Sequence, residues 1–300
     1  MRRTLVFVIA IALVSMFAPA TQASTPTCDG HPATIVGTDG NDTLTGTSGD
    51  DVIVGKEGND LLHGDGGSDV ICGNAGADRI YGDADPDDLL AGGKGNDSLF
   101  GGPDSGDGDR LDGGPGDDLI AGGSSLGDFG DLVLYSDAPR SVDVNLNTGV
   151  ATGYGTDSLT GIEQVRGSPY GDTIVGGKQF LQGLEGGDGN DYIKLTSNAN
   201  FVAGGNGNDT IKVTPGVVSD SGLDGGSGDD TFIGSAADDS LYVSDGLYSS
   251  DGSGNETVYG RDGNDSINMV DGEPGDIANG QAGVDTCSVD AGDSAVDCES

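Results

Sequence analysis

From Leu44 to Ile80 an aliphatic side chain recurs at every ninth position: Leu44, Ile53, Leu62, Ile71 and Ile80. Around these residues five units run without interruption from Gly37 to Tyr81, reading GTDGNDTLT, GTSGDDVIV, GKEGNDLLH, GDGGSDVIC and GNAGADRIY. In each, Gly holds the first and fourth places, Asp the sixth and the aliphatic residue the eighth. The tail of the unit alternates like a very short strand, and the fixed glycines permit the positive φ and close backbone approach of a tight loop. Each unit is therefore half turn and half strand. Two units make one coil, so the eighth-place side chains fall into two inward ladders. Leu44, Leu62 and Ile80 line one side, Ile53 and Ile71 the other. The predicted fold is all-β, a stack of short parallel strands.

Chemistry enters through the sixth place. An Asp stands at the mouth of every turn, so stacking the coils builds columns of carboxylates at the strand separation of roughly 4.8 Å. Such a column repels itself strongly unless cations sit between its members. The repeating places carry carboxylate and carbonyl oxygens and no Cys or His, a donor set that suits a hard cation and argues against zinc. Calcium accepts six to eight oxygens in loose geometry, whereas magnesium demands a strict octahedron, so calcium (Ca2+, in multiple copies) is the expected cofactor.

With these residues in place, the chain resembles the hemolysin-type (RTX) calcium-binding proteins, whose repeat is G-G-x-G-x-D-x-U-x. Copies with the second Gly as well are GGKGNDSLF at Gly92, GGPGDDLIA at Gly113, GGDGNDYIK at Gly186, GGNGNDTIK at Gly204 and GGSGDDTFI at Gly225; GRDGNDSIN at Gly260 lacks only that Gly. The resemblance implies a parallel β-roll, a right-handed β-solenoid of nonapeptide repeats with irregular intervening coils, in which calcium lies between successive same-side turns. It carries the ligand role to Asp42, Asp51, Asp60, Asp69, Asp78, Asp97, Asp118, Asp191, Asp209, Asp230 and Asp265, and through degenerate copies to Asp88, Asp109, Asp172 and Asp239. Glu256, in DGSGNETVY, is longer than Asp and is left out of the expected set.

Composition points the same way. Of 300 residues 58 are Gly, and the formal net charge is −39. Low hydrophobicity with such a charge favours disorder, so a chain without metal is expected to fold poorly. Acids that merely solvated a surface would need no fixed place in the unit, and these keep phase. The sign of the charge argues against nucleic acid as a partner.

At the N-terminus Arg2 and Arg3 precede an apolar run from Leu5 to Phe17 and the small residues Ala20 and Ala23, the pattern of a cleavable secretory signal. The run is short for a membrane anchor, and no later stretch is apolar enough to span. The expected location is secreted, extracellular. Four cysteines, Cys28, Cys72, Cys287 and Cys298, permit three pairings. Cys28 with Cys72 and Cys287 with Cys298 is the expected set, clipping the two ends of the stack where exposed strand edges need protection.

The chain divides into a signal peptide (1–23), an N-terminal cap (24–36), a first repeat block (37–135), degenerate coils (136–166), a second block with irregular insertions (167–268) and a C-terminal cap (269–300). No catalytic constellation emerges. His31 and His63 lie in no H-E-x-x-H setting, and His63, at an outward ninth place, is expected to be solvated. GSSLG around Ser125 sits in a Gly-rich insertion rather than a strand–turn–helix elbow. Asp83, Asp85 and Asp87 imitate an EF-hand start, but Asp88 stands where Gly is required. The expected function is a secreted calcium-binding roll that folds on extracellular calcium and serves as a structural or surface module, with a cell-envelope or other extracellular partner. The alternative is a calcium-dependent extracellular enzyme, polysaccharide- or ester-active, or a fragment of one.

Overall fold

In the computed structural model the alternation around each eighth-place residue becomes a strand with one fully inward side chain. The structure describes residues 25–84, 87–104, 106, 108–125, 130–178, 182–197, 199–215, 222–244, 254–270, 272 and 274–299. The expected signal peptide lies outside them. Among the described residues there is no helix, and two long sheets of 15 and 13 strands face each other. Successive units alternate between the sheets, so each coil contributes one strand to each.

Register confirms both ladders. Leu44, Leu62, Ile80, Leu99 and Ile120 are consecutive partners in the larger sheet. Ile35, Ile53, Ile71, Leu90, Leu111 and Val133 do the same in the smaller. From Ile53 to Val133 every one of these side chains is 0% exposed. Ile174, Ile193, Ile211, Phe232 and Val258 extend the first ladder in the second block. Burying each of them is worth about 1.5–3 kcal/mol. The core is nonetheless only two side chains wide, which makes the state of the turns decisive for stability.

Within the two long sheets the parallel pattern is broken once among the described residues. Within 136–166, strands Asp143–Asn145, Val150–Thr152 and Thr156–Thr160 form an antiparallel meander in the larger sheet. Thr156–Thr160 pairs with Leu119–Ser125 of the first block and Asp143–Asn145 with Thr173–Val175 of the second, so the sheet stays continuous. Opposite the meander, Leu132–Leu134 pairs directly with Gln164–Arg166. Val142 and Val144 are buried, as their alternation suggests, and Ala151 and Leu159 complete the layer.

Both expected disulfides form. Cys72 occupies the ninth, outward place of its unit, and its bond to Cys28 pins the short hairpin of Thr27–Cys28 and His31–Pro32 against the outside of the smaller sheet. Cys287 lies at an inward place in Thr286–Val289 and is bonded to Cys298. The stretch 269–300 carries strands of both sheets, Ile277–Ala282 and Ser294–Val296 in one and Thr286–Val289 in the other. No helix among the described residues is long and apolar enough to cross a membrane.

Candidate metal sites

Each sixth-place Asp immediately precedes its strand, and this position fixes three of its groups in a ladder. Its N–H donates to Oδ1 of the Asp one coil on: Asp42 to Asp60 (2.8 Å), Asp60 to Asp78 (2.7 Å), Asp78 to Asp97 (2.8 Å) and Asp97 to Asp118 (2.8 Å). Its carbonyl accepts from the residue after that next Asp, as Asp42 does from Leu61 and Asp60 from Arg79. On the other side Asp51, Asp69, Asp88, Asp109 and Asp131 follow the same rule. In the second block the ladder runs through Asp172, Asp191, Asp209 and Asp230, and separately through Asp239, Asp265 and Asp285.

The remaining oxygen, Oδ2, is where the structure leaves chemistry undone. In Asp60, Asp69, Asp78, Asp97, Asp109, Asp118, Asp191, Asp209, Asp265 and Asp285 it is buried without a hydrogen-bond partner. A buried carboxylate oxygen left unsatisfied is costly, and a regular series of them suits a positively charged ligand. Each turns toward the first-place Gly of its own unit. A Cβ built on Gly64 would collide with Asp69 Oδ2 and lie 2.8 Å from the carbonyl oxygen of Gly82, one coil on. A carboxylate oxygen and a carbonyl oxygen thus converge on a space that only a glycine leaves open. Among the described residues no three His, Cys, Asp or Glu side chains converge on one point. A cation at these turns must therefore draw on backbone carbonyls, a donor set that fits calcium.

Electrostatics agree. Loss of water pushes Asp69, Asp78 and Asp209 up to about 6, and Asp109, Asp118 and Asp191 up to about 7. For Asp191 the charges of Asp209 and Asp172 in the same column add to that burial. A bound cation would reverse this cost.

Four of the expected ligands differ. Thr38 gives both its N–H (2.6 Å) and its hydroxyl (2.9 Å) to Asp42 Oδ2, and Thr47 does the same to Asp51 (2.7 and 2.8 Å). Ser168 and Ser235 likewise bond both oxygens of Asp172 and Asp239. All four hydroxyl residues occupy the second place of their unit. Where another residue stands there the backbone turns left-handed, as at Lys56 (φ 88°), Asp65 (79°), Asn74 (76°) and Gly93 (99°), and the following Asp60, Asp69, Asp78 and Asp97 keep their Oδ2 open. The hydroxyl-closed units also stand first in each run of acids. Asp42 and Asp51 begin the two columns of the first block, Asp172 the column after the meander, and Asp239 the last one.

The columns also contain acids outside the expected set. Asp131, Asp157, Glu163, Asp276 and Asp285 are all buried. Asp157 accepts from the N–H of Asp118 and the hydroxyl of Tyr135, and Glu163 accepts from the N–H of Asp131, so each closes its column in the first block. Both sit in a half-unit, Gly155-x-Asp157-x-Leu159 and Gly161-x-Glu163-x-Val165, a signal the full motif passes over. Asp285 sits in GQAGVDTCS, which lacks only the aliphatic residue of the strict pattern. Glu256, despite its extra methylene, is 0% exposed in its column, with its N–H donated to Asp276.

The other candidates play no part here. His63 is not simply solvated: its ring stacks on Tyr81 at 4.6 Å, Tyr81 stacks on Phe100, and Nδ1 lies 3.0 Å from Asp83. Ser125 ends the strand Leu119–Ser125, and Asp85 and residues 126–129 lie outside the described residues.

A family model for the RTX calcium-binding nonapeptide repeat (4 copies) matches residues 34–62, 54–89, 87–105, 104–125, 184–211, 223–246 and 250–268, more than half of the chain. A search of curated proteins finds no match.

Proposed function

Because the chain belongs to the family of RTX calcium-binding nonapeptide repeat proteins, we propose that this calcium-binding β-roll is secreted and completes its folding only when it meets extracellular calcium. The observation that carries this reading is the series of buried Asp Oδ2 atoms without protein partners, most of them beside a glycine carbonyl from one coil on at the turn mouth. Asp60, Asp69, Asp78, Asp97, Asp109, Asp118, Asp191, Asp209 and Asp265 would supply the carboxylate oxygens, and Asp88 and Asp230 share their place in the columns. Asp42, Asp51, Asp172 and Asp239 are assigned a different role, as starting turns whose carboxylates the second-place N–H and hydroxyl satisfy together. Calcium would contribute positive charge and a demand for oxygen ligands.

The chain does the rest. Without a counter-charge the acid columns oppose stacking, and the thin core cannot hold the coils together. With it, binding free energy becomes folding free energy, and neighbouring coils reinforce one another. Sites of extracellular modules bind at about 10⁻⁴–10⁻³ M, which would keep the chain open where calcium is scarce and folded outside the cell. The folded rod then serves as a structural or surface module facing an envelope or other extracellular partner, a role in keeping with a family that is generally structural or binding. Circular dichroism tests this: adding calcium should convert coil to β, chelator should reverse it, and magnesium should do far less. A spectrum indifferent to chelator would overturn the reading.

A further inference from the structure

Beyond the last matched repeat, which ends at 268, the smaller sheet continues through Thr286–Val289, and the column Asp239, Asp265, Asp285 continues with it. Asp285 is 0% exposed, its Oδ1 accepts from the Asp265 N–H at 2.8 Å, and its Oδ2 has no partner. The second place of its unit, Gln281, is left-handed at φ 70°, as in the other open units. Everything upstream of Asp285 is thus arranged as at an interior site.

What is unusual lies downstream, where no further coil exists within the described residues to supply the next turn. The chain instead folds back over an 11-residue separation, held by the Cys287–Cys298 bond. This return delivers two substitutes. The carbonyl of Asp297, a residue in left-handed conformation (φ 51°), meets Asp285 Oδ2 at the point a Cβ on Gly280 would occupy, where interior sites use a glycine carbonyl one coil on. Glu299 Oε2 accepts the Asp285 N–H at 2.6 Å, the role an Asp one coil on plays elsewhere, and the Glu299 N–H returns a bond to the Asp285 carbonyl.

We propose that Asp285, the Asp297 carbonyl and Glu299 form a terminal calcium site, outside the matched repeats, whose far half is assembled by the Cys287–Cys298 disulfide. The proposal rests on the calcium reading of the repeats. It differs from an interior site in being conditional on a covalent clip: opening the disulfide frees Asp297 and Glu299, and the site loses two of its three contributors. By reciprocity, an ion that needs the clip must also protect it.

The test measures the rate at which dithiothreitol reduces each disulfide in the full mature chain, with calcium or with chelator, by trapping the freed thiols with an alkylating reagent and weighing the peptides. The reagent passes two electrons and two protons to the cystine and closes to its own disulfide. In the wild type, calcium should slow reduction of both bonds, that of Cys287–Cys298 by at least about fivefold. Asp285→Asn and, independently, Glu299→Gln should abolish most of this protection at Cys287–Cys298 and leave it intact at Cys28–Cys72. Glu299→Gln keeps an acceptor for the Asp285 N–H, so it reports on the charge rather than on the fold of the return loop. Wild-type protection in both variants would overturn the terminal site, as would wild-type protection confined to Cys28–Cys72, and the repeats would still stand as calcium sites. Calcium that protects neither bond in the wild type would overturn both readings.

Discussion

Asp191→Asn should act in opposite directions depending on whether calcium is present. Asp191 is 2% exposed; Oδ1 takes the Asp172 N–H at 2.6 Å, and Oδ2 faces the Gly204 carbonyl without a partner. Burial raises its pKa from 3.8 to about 7. At about 1.4 kcal/mol per pH unit, keeping it ionised at pH 8 costs the calcium-free fold about 4 kcal/mol, or about 2 kcal/mol once water reaching the turn mouth screens it. Asn retains the acceptor for Asp172, removes the charge and can offer its N–H to Gly204. In chelator at pH 8, folding driven by trimethylamine N-oxide, which favours burial by its exclusion from protein surface, should need less osmolyte in the variant. In calcium the same variant lacks an anionic ligand, so its folding midpoint, followed by circular dichroism, should move to higher calcium. A variant that folds no more readily in chelator, or that keeps the wild-type calcium midpoint, would refute the assignment of Asp191 Oδ2 to a cation.

Other expectations follow from the same geometry. Thr47→Gly removes the hydroxyl that saturates Asp51 and permits the left-handed second place, so equilibrium dialysis should find one more calcium per chain. Lys56→Gly relieves a left-handed backbone, gaining about 1 kcal/mol in urea denaturation with calcium, since the exposed Lys56–Asp39 pair at 3.9 Å contributes little. Leu62→Ala, at a fully buried ladder position, should cost about 2–5 kcal/mol in the same assay. The folded-state pKa values of Asp69, Asp78, Asp109, Asp118 and Asp191 lie above the ordinary carboxylate value, so their contribution to the calcium-free fold is complete below about pH 4 and lost as pH rises through 6 to 7. Chelated protein should therefore gain β signal on acidification, while the calcium midpoint rises as protons compete for the same oxygens.

Much of this architecture was legible in the phase of the repeat. Once Leu44, Ile53 and Leu62 are nine residues apart, two ladders and two acid columns are geometric consequences. What phase could not convey was the state of each acid. Asp51 and Asp60 look equivalent in the motif, yet Thr47 satisfies one and the left-handed Lys56 leaves the other open, a difference that lies in a backbone φ rather than in the Asp. The meander escaped for another reason. Val142 and Val144 announce a strand, but alternation does not say beside which neighbour the strand lies, and here chain order and sheet order run opposite ways. Asp157, Glu163 and Asp285 escaped because the strict motif demands places that the column itself does not use.

The most direct test of the central claim is to count calcium ions bound per chain by equilibrium dialysis while following β-structure by circular dichroism across the same titration. Several ions should bind, and bound calcium and β signal should rise together over one concentration range. A full β signal at zero bound calcium would contradict that claim.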